Sequence, residues 1–169
     1  MTPQDRVAIR PYAAEDLGLL ERLLGDAAMM SHLGGPETPD ALRARHERYL
    51  ASTEAEGALF TVLVGSKAVP AGWVGYWESE WDGEPVWECG WHVLPGFQGA
   101  GVASGAMMLL LSDLRMRKTH SALHAFPRVD NEASNRLCAR LGFELLGEVA
   151  VEYPMGHMMH GNNWRLRLQ

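Results

Sequence analysis

Residues Trp87 to Gly105 read WECGWHVLPGFQGAGVASG. The run through Leu94 carries the apolar and aromatic weight of a buried strand, Pro95 and Gly96 break it, and Val102 opens a helical run. Between strand and helix, Gln98-Gly99-Ala100-Gly101-Val102-Ala103 makes a turn whose glycines let the backbone approach a ligand closely. A helix's first N–H groups have no intrahelical acceptor and lie at the positive end of its dipole, so such a junction suits an anion, above all a phosphate. It is not a Walker loop, since no Gly-x-x-x-x-Gly-Lys-Ser/Thr occurs in the chain. The dinucleotide pattern Gly-x-Gly-x-x-Gly, begun at Gly99, fails at Ser104.

Side chains alternate along a strand, so Trp87, Cys89, Trp91 and Val93 share one face while Val86, Glu88, Gly90 and His92 share the other. Glu88 is thus a carboxylate inside a mostly apolar strand. Partial burial beside Trp87 and Trp91 raises its pKa toward the range in which it works as a general base. The same carboxylate could instead pair with a neighbouring arginine. His92 lies on the Glu88 face and either shares the proton work or is simply hydrogen-bonded in place.

Downstream, residues 131 to 143 read NEASNRLCARLGF. Together with Gln98, Gly101 and Ala103 they resemble the two ordered motifs of the GNAT superfamily of acyl-CoA-dependent N-acyltransferases: Gln/Arg-x-x-Gly-x-Gly/Ala, then Asn-x-x-Ser/Ala and a helix closing on Leu-Gly-Phe. Val7-Ala8-Ile9-Arg10-Pro11, with Asp16-Leu17 after it, is similar to the family's opening strand. His157 to Trp164 is similar to the closing strand of its RimJ/RimL-type branch, so the resemblance spans essentially the whole chain.

The resemblance implies an acetyl-CoA or other short acyl-CoA cosubstrate and a primary-amine acceptor, attacked directly in a ternary complex. The pyrophosphate is expected on the turn from Gln98 through Gly99, Ala100, Gly101 and Val102 to Ala103, and the pantetheine amides on the backbone of Trp91, His92 and Val93. Asn131 caps the second-motif helix or meets the pantetheine arm. Glu88 takes the position of the family's glutamate base. The family's usual Tyr acid is replaced by Cys138, which is expected to pack in the core; Ser134 then either donates to the departing thiolate or bonds backbone at the helix start.

Composition sets outer bounds. With 169 residues, 47% of them hydrophobic, the chain is long enough for one core and short for two, so a single domain is expected. No stretch approaches the roughly 18 apolar residues that span a bilayer, and MTPQDRVAIR lacks the apolar centre of a secretory signal. A soluble, cytoplasmic protein follows as the expectation, and two distant cysteines, Cys89 and Cys138, fit a reducing compartment. A formal net charge of −6 without Lys/Arg runs argues against a nucleic-acid surface and suits cationic amines. His120 with His124, and His157 with His160, lack a third convergent ligand, so no metal is expected.

Punctuation and periodicity predict strands at Val7 to Arg10, Leu59 to Val64, Ala71 to Glu78, Val86 to Leu94 and Ala122 to Phe126, with a last hairpin of Phe143 to Val151 and Asn163 to Leu168. Helices are predicted at Ala14 to Leu24, at Ala41 to Ser52 behind a Thr38 cap and Pro39, at Val102 to Leu114, and at Asn131 to Leu141. The expected fold is a mixed α/β (α+β) GNAT fold: a mostly antiparallel sheet of about seven strands with helices on both faces. Two competing readings are a GNAT-fold regulatory module that holds acyl-CoA without turnover, and an unrelated nucleotide-binding protein. The second lacks an acidic residue at the end of the next strand, near Ser121 to Phe126. A homodimer is compatible with the family but not fixed by any sequence feature.

Overall fold

The computed structural model describes residues 7–168; the N-terminal reading at Met1 to Arg6 lies outside them. Seven strands form one sheet in the order β1-β2-β3-β4-β5-β7-β6. They are β1 (Val7–Pro11), β2 (Gly57–Val64), β3 (Val69–Trp81), β4 (Glu84–Val93), β5 (Ala122–Ala125), β6 (Glu144–Glu152) and β7 (Met158–Arg167). Every pairing is antiparallel except β4 with β5. This is the mixed, mostly antiparallel sheet that the sequence predicts.

Four helices cover it: α1 (Leu17–Leu24), α2 (Pro39–Ala51), α3 (Val102–Arg117) and α4 (Glu132–Arg140). Thr38 caps α2 through a side chain that accepts from the Ala41 N–H, with Pro39 behind it, as its sequence predicts. The first turn predicted as helix at Ala14 is a separate 3-10 turn, Ala14–Asp16. The cause is Asp16, which is buried and accepts from Arg10 Nη1 (2.7 Å) and Nη2 (2.8 Å), Thr61 Oγ1 (2.7 Å) and the Ala13 N–H. Burial pushes that carboxyl up, but the four donors outweigh it and hold it below the usual carboxylate range.

Two apolar clusters lie on opposite faces. On one, α3 and α4 lay Ala106, Met107, Leu110, Leu114, Leu137 and Cys138 against Val74, Trp87, Cys89 and Val93 of the sheet. On the other, α1 and α2 lay Leu20, Leu23, Leu24 and Leu42 against Trp73 and Leu94. The strand alternation read from the sequence is therefore physical: the Trp87 face meets α3, and the Glu88 face turns toward α1 and α2. Cys138 is fully buried in the first cluster, its thiol pushed up to about 12 by burial, and Cys89 is buried beside the same helices.

Asn135 ties α4 to the rest. Its Oδ1 accepts from Asn162 Nδ2 and Trp164 Nε1, both at 2.8 Å, and its Nδ2 donates to the carbonyls of Arg128 and Asn131 at 2.9 Å. Replacing it by alanine strands two donors on β7, which costs about 2–3 kcal/mol. Urea unfolding of Asn135→Ala should show that loss with an unchanged m-value, whereas a midpoint within error of the parent would contradict the assignment.

Candidate functional site

The site begins where the ladder ends. β4 and β5 pair in register only at Trp87↔Leu123 and Glu88↔His124, although β4 runs on to Val93. Beyond Ala125 the chain is drawn to β7 instead: Arg128 bridges Gly161, the Asn162 N–H donates to the Pro127 carbonyl, and the Val129 N–H donates to the His160 carbonyl. Beyond Cys89, β4 keeps its partner on the β3 side and has no register partner in β5.

Ladder parity identifies the groups that face the split. The Leu94 N–H donates to the Ala71 carbonyl at 2.8 Å, which makes that pair a hydrogen-bonded one, and bonded pairs alternate along an antiparallel ladder. His92 then bonds Trp73, and its carbonyl lies against Gly72 of β3. Trp91 and Val93 turn their backbone groups to the open side. The expectation that Trp91, His92 and Val93 offer a continuous backbone edge is thus corrected: His92 is spent on β3.

Directly after β4 comes the glycine turn. Gly99 and Gly101 adopt positive φ, 73° and 77°, with Gly101 as the residue before α3. Among the described residues, no backbone carbonyl accepts from the N–H groups of Gly99, Ala100, Gly101, Val102, Ala103 or Ser104. Left-handed residues alternating with ordinary ones curl such N–H groups into a concave anion nest. Gln98 is different. Its backbone N–H donates to Pro95 and its side chain to the Val93 carbonyl at 2.9 Å, so it braces the turn against β4 and has little left for a ligand.

Glu88 lies half-buried on the α1/α2 face. Burial raises its pKa, while Ser79 and Trp77 on β3 favour the carboxylate. Among the described residues no arginine enters that balance, and the partners of Glu88 are Ser79 and Trp77. Gly90 leaves room for the Trp77 ring, which an added Cβ would meet at 2.9 Å. His92 stacks on Trp73, ring centroids 5.0 Å apart, with Nδ1 buried and unpartnered. Burial and then the nearby Arg45 lower its pKa to about 4, so its imidazole is neutral near pH 7.

The Asn131 side chain accepts from the Ser134 N–H at 3.2 Å and so caps α4. That cap leaves the half-buried Ser134 hydroxyl free of the helix start. Because α4 packs with α3, Ser134 stands across the sheet from Glu88 and His92, and the three can converge only through the split. Sequence reading passed over two groups on the Glu88 face. His124 faces Glu88 in register, and Arg45 of α2 is paired to Glu37 and bonded to the Tyr49 hydroxyl at 3.1 Å. Periodicity could place neither, since both meet the site through tertiary contacts. Among the described residues no three His, Cys, Asp or Glu side chains cluster to hold a metal ion, and no helix is long and apolar enough to cross a membrane.

The arrangement is that of a known family. The model of the acetyltransferase (GNAT) domain matches residues 6–144, and the chain belongs to that family. No curated protein matches at the level of sequence. Solved structures share the fold. An acetyl transferase of Salmonella typhimurium that modifies the N-terminal serine of the 50S ribosomal subunit protein L7/L12 is 20% identical, with a TM-score of 0.81 over 97% of this chain and 96% of its own. The spermidine N-acetyltransferase of Vibrio cholerae, in complex with CoA and spermine, is 17% identical, with a TM-score of 0.79 over 97% and 96%. The yncA protein of Salmonella typhimurium, with its cofactor acetyl-CoA, is 21% identical, with a TM-score of 0.77 over 96% and 94%.

His92 carries a pH signature. The unfolded chain takes up a proton there near pH 6.5, whereas the folded chain refuses it until about pH 4. His92 therefore withdraws stability as pH falls through that window and leaves it untouched above. Denaturation midpoints of His92→Gln between pH 4 and 6.5 should fall less steeply than those of the parent. Parallel curves would mean that His92 charges freely in the fold.

Proposed function

We propose that this GNAT-family acetyltransferase binds acetyl-CoA along the open edge of β4 and passes the acetyl group to a primary amine by direct attack. The observation that carries the reading is the run of backbone groups without a strand partner, from Trp91 and the Val93 N–H at the split, where Gln98 already takes the Val93 carbonyl, to the six N–H groups of Gly99 to Ser104. An extended pantetheine amide chain pairs with the first as an added strand would. A diphosphate is held by the second, with Gly101 and Gly99 admitting it to van der Waals range.

The chemistry needs a neutral amine, a polarised thioester carbonyl and a proton for the thiolate. Glu88 is the base: burial raises its pKa, which makes it a better acceptor for the proton of an ammonium, with direct or water-relayed transfer. His92, neutral and stacked on Trp73, orients the amine or passes its proton on. Ser134 supplies the hydroxyl nearest in kind to a thiolate acid, since Cys138 is sealed in the core. The amine attacks the carbonyl carbon, the C–S bond breaks, and CoA leaves as the thiol. The likeness in sequence to the RimJ/RimL branch favours a protein N-terminus as acceptor, and the spermine complex of the Vibrio cholerae relative favours a polyamine; both are primary amines.

The test is Glu88→Gln, assayed by thiol release from acetyl-CoA with an N-terminal-serine peptide and with spermine as probe acceptors. Loss of a general base should lower kcat/KM by about 10²–10⁴, while acetyl-CoA still raises the melting temperature as in the parent. Unchanged turnover would remove Glu88 as base. Absence of any thermal shift with acetyl-CoA in the parent protein would remove the cosubstrate itself. A substitution in the turn separates the two: Gly101→Val strains a left-handed position and blocks the nest, so it should weaken CoA binding at least tenfold by calorimetry.

A further inference from the structure

Charge is matched inside this protein at every place but one. Among the described residues four carboxylates are buried or half-buried: Asp16, Glu37, Glu88 and Asp113. Asp16 holds Arg10 at 2.7 Å, Glu37 holds Arg45, and Asp113 holds Arg117 at 3.0 Å. Among the described residues no cation pairs with Glu88. The cation whose charge reaches His92, two strand steps away, is Arg45, and it is already spent on Glu37 and on the Tyr49 hydroxyl at 3.1 Å.

The unpaired carboxylate stands against aromatic rings. Trp77 is its register partner across the antiparallel ladder with β3, so the two side chains share a face. At Gly90, between Glu88 and His92 on that face, an added Cβ would meet the Trp77 ring at 2.9 Å and the Trp73 ring at 3.5 Å. Both indoles therefore converge on the strand beside Glu88. Trp73 also stacks on His92, ring centroids 5.0 Å apart, and meets Tyr49 edge-on at 6.3 Å. The wall runs from half-buried Trp77 through buried Trp73 to Tyr49. An amine with one ammonium brings the single charge that Glu88 lacks, and an apolar body gains by lying on the rings. A second ammonium at this wall meets no unmatched carboxylate, and an acceptor carboxylate finds Arg45 taken, so either is desolvated without a partner.

We propose that the acceptor is a single ammonium carried on an apolar or aromatic body, and that Trp77 is the specificity-determining residue that reads this body beside Glu88. Polyamines fail by their extra charges and free amino acids by their carboxylate. The same chemistry is offered by a free arylalkyl amine and by a polypeptide whose first side chain is apolar. The inference rests on the reading of this face as the acceptor side of an acetyl-transfer site, but binding of the amine is measurable without transfer.

The experiment compares four probe acceptors in the thiol-release assay with saturating acetyl-CoA: phenylethylamine, an amidated peptide with N-terminal Phe and no other charge, free phenylalanine, and spermine. The first two should exceed the last two in kcat/KM by about tenfold or more, because only they leave no charge unmatched. Whichever of the first two leads names the source, free amine or polypeptide N-terminus. In Trp77→Leu the lead of phenylethylamine over spermine should shrink about three- to tenfold, through KM with kcat little changed, as loss of an aromatic contact does. Trp77→Phe keeps a ring and should keep the order. Spermine or free phenylalanine equal to the first two would overturn the proposal, and a Trp77→Leu that slows all four alike would overturn the role of Trp77. Calorimetry of each amine on the protein with saturating CoA reads the same order without turnover. Binding of phenylethylamine over spermine with no thiol released would uphold the inference and overturn acetyl transfer; binding of neither would overturn the inference.

Discussion

Everything at the site depends on the parting of β4 from β5. A sheet interior satisfies backbone groups on both sides of each strand, and β4 gives this up over its C-terminal half. The cost of leaving Trp91 and Val93 without a strand partner is borne because β5 is only four residues long and its continuation is captured by β7 through Pro127, Val129 and Arg128. A segment of backbone without a strand partner, next to six N–H groups without acceptors, is where the proposed cosubstrate, extended, amide-rich and anionic, would be held. CoA has that composition.

The two faces of β4 divide the labour. Trp87, Cys89 and Val93 anchor the strand on α3, where apolar burial does the holding. Glu88, Gly90 and His92 look the other way, toward a layer of aromatic rings with isolated polar atoms. Taking charged groups out of water is expensive, and this face carries few: one carboxylate raised by burial, two histidines lowered by it, and an arginine already matched to Glu37. In the proposed reaction, a face so poor in charge would favour the neutral amine over the ammonium. That preference is what attack on a thioester requires.

Much of this was legible in the sequence, for physical reasons that can be named. Strand β4 announced itself by period-two alternation, and the turn from Gln98 to Ala103 by glycines that had to adopt positive φ. The caps at Thr38 and Asn131 followed from side-chain chemistry alone. What was not legible came from tertiary contacts. His92 was expected to lend its backbone to the cosubstrate, but only the register with β3 shows that its carbonyl faces Gly72. Gln98 was expected to face the phosphate, yet its side chain reaches back to Val93. His124 looked like half of an incomplete metal pair because periodicity says nothing about which residue stands beside Glu88 across a parallel ladder. The early 3-10 turn at Ala14 likewise reflects Asp16 serving Arg10 and Thr61 from other strands.

The most direct measurement is residue-resolved amide hydrogen exchange on the free protein and on the protein with saturating CoA. If the split is the cosubstrate's berth, the Trp91 and Val93 amides and those of the turn from Gly99 to Ser104 should gain protection, while His92, already bonded to β3, should not change. Unchanged exchange at Trp91 and Val93 with CoA bound would contradict the account, because the molecule would then be held somewhere other than along the open edge of β4.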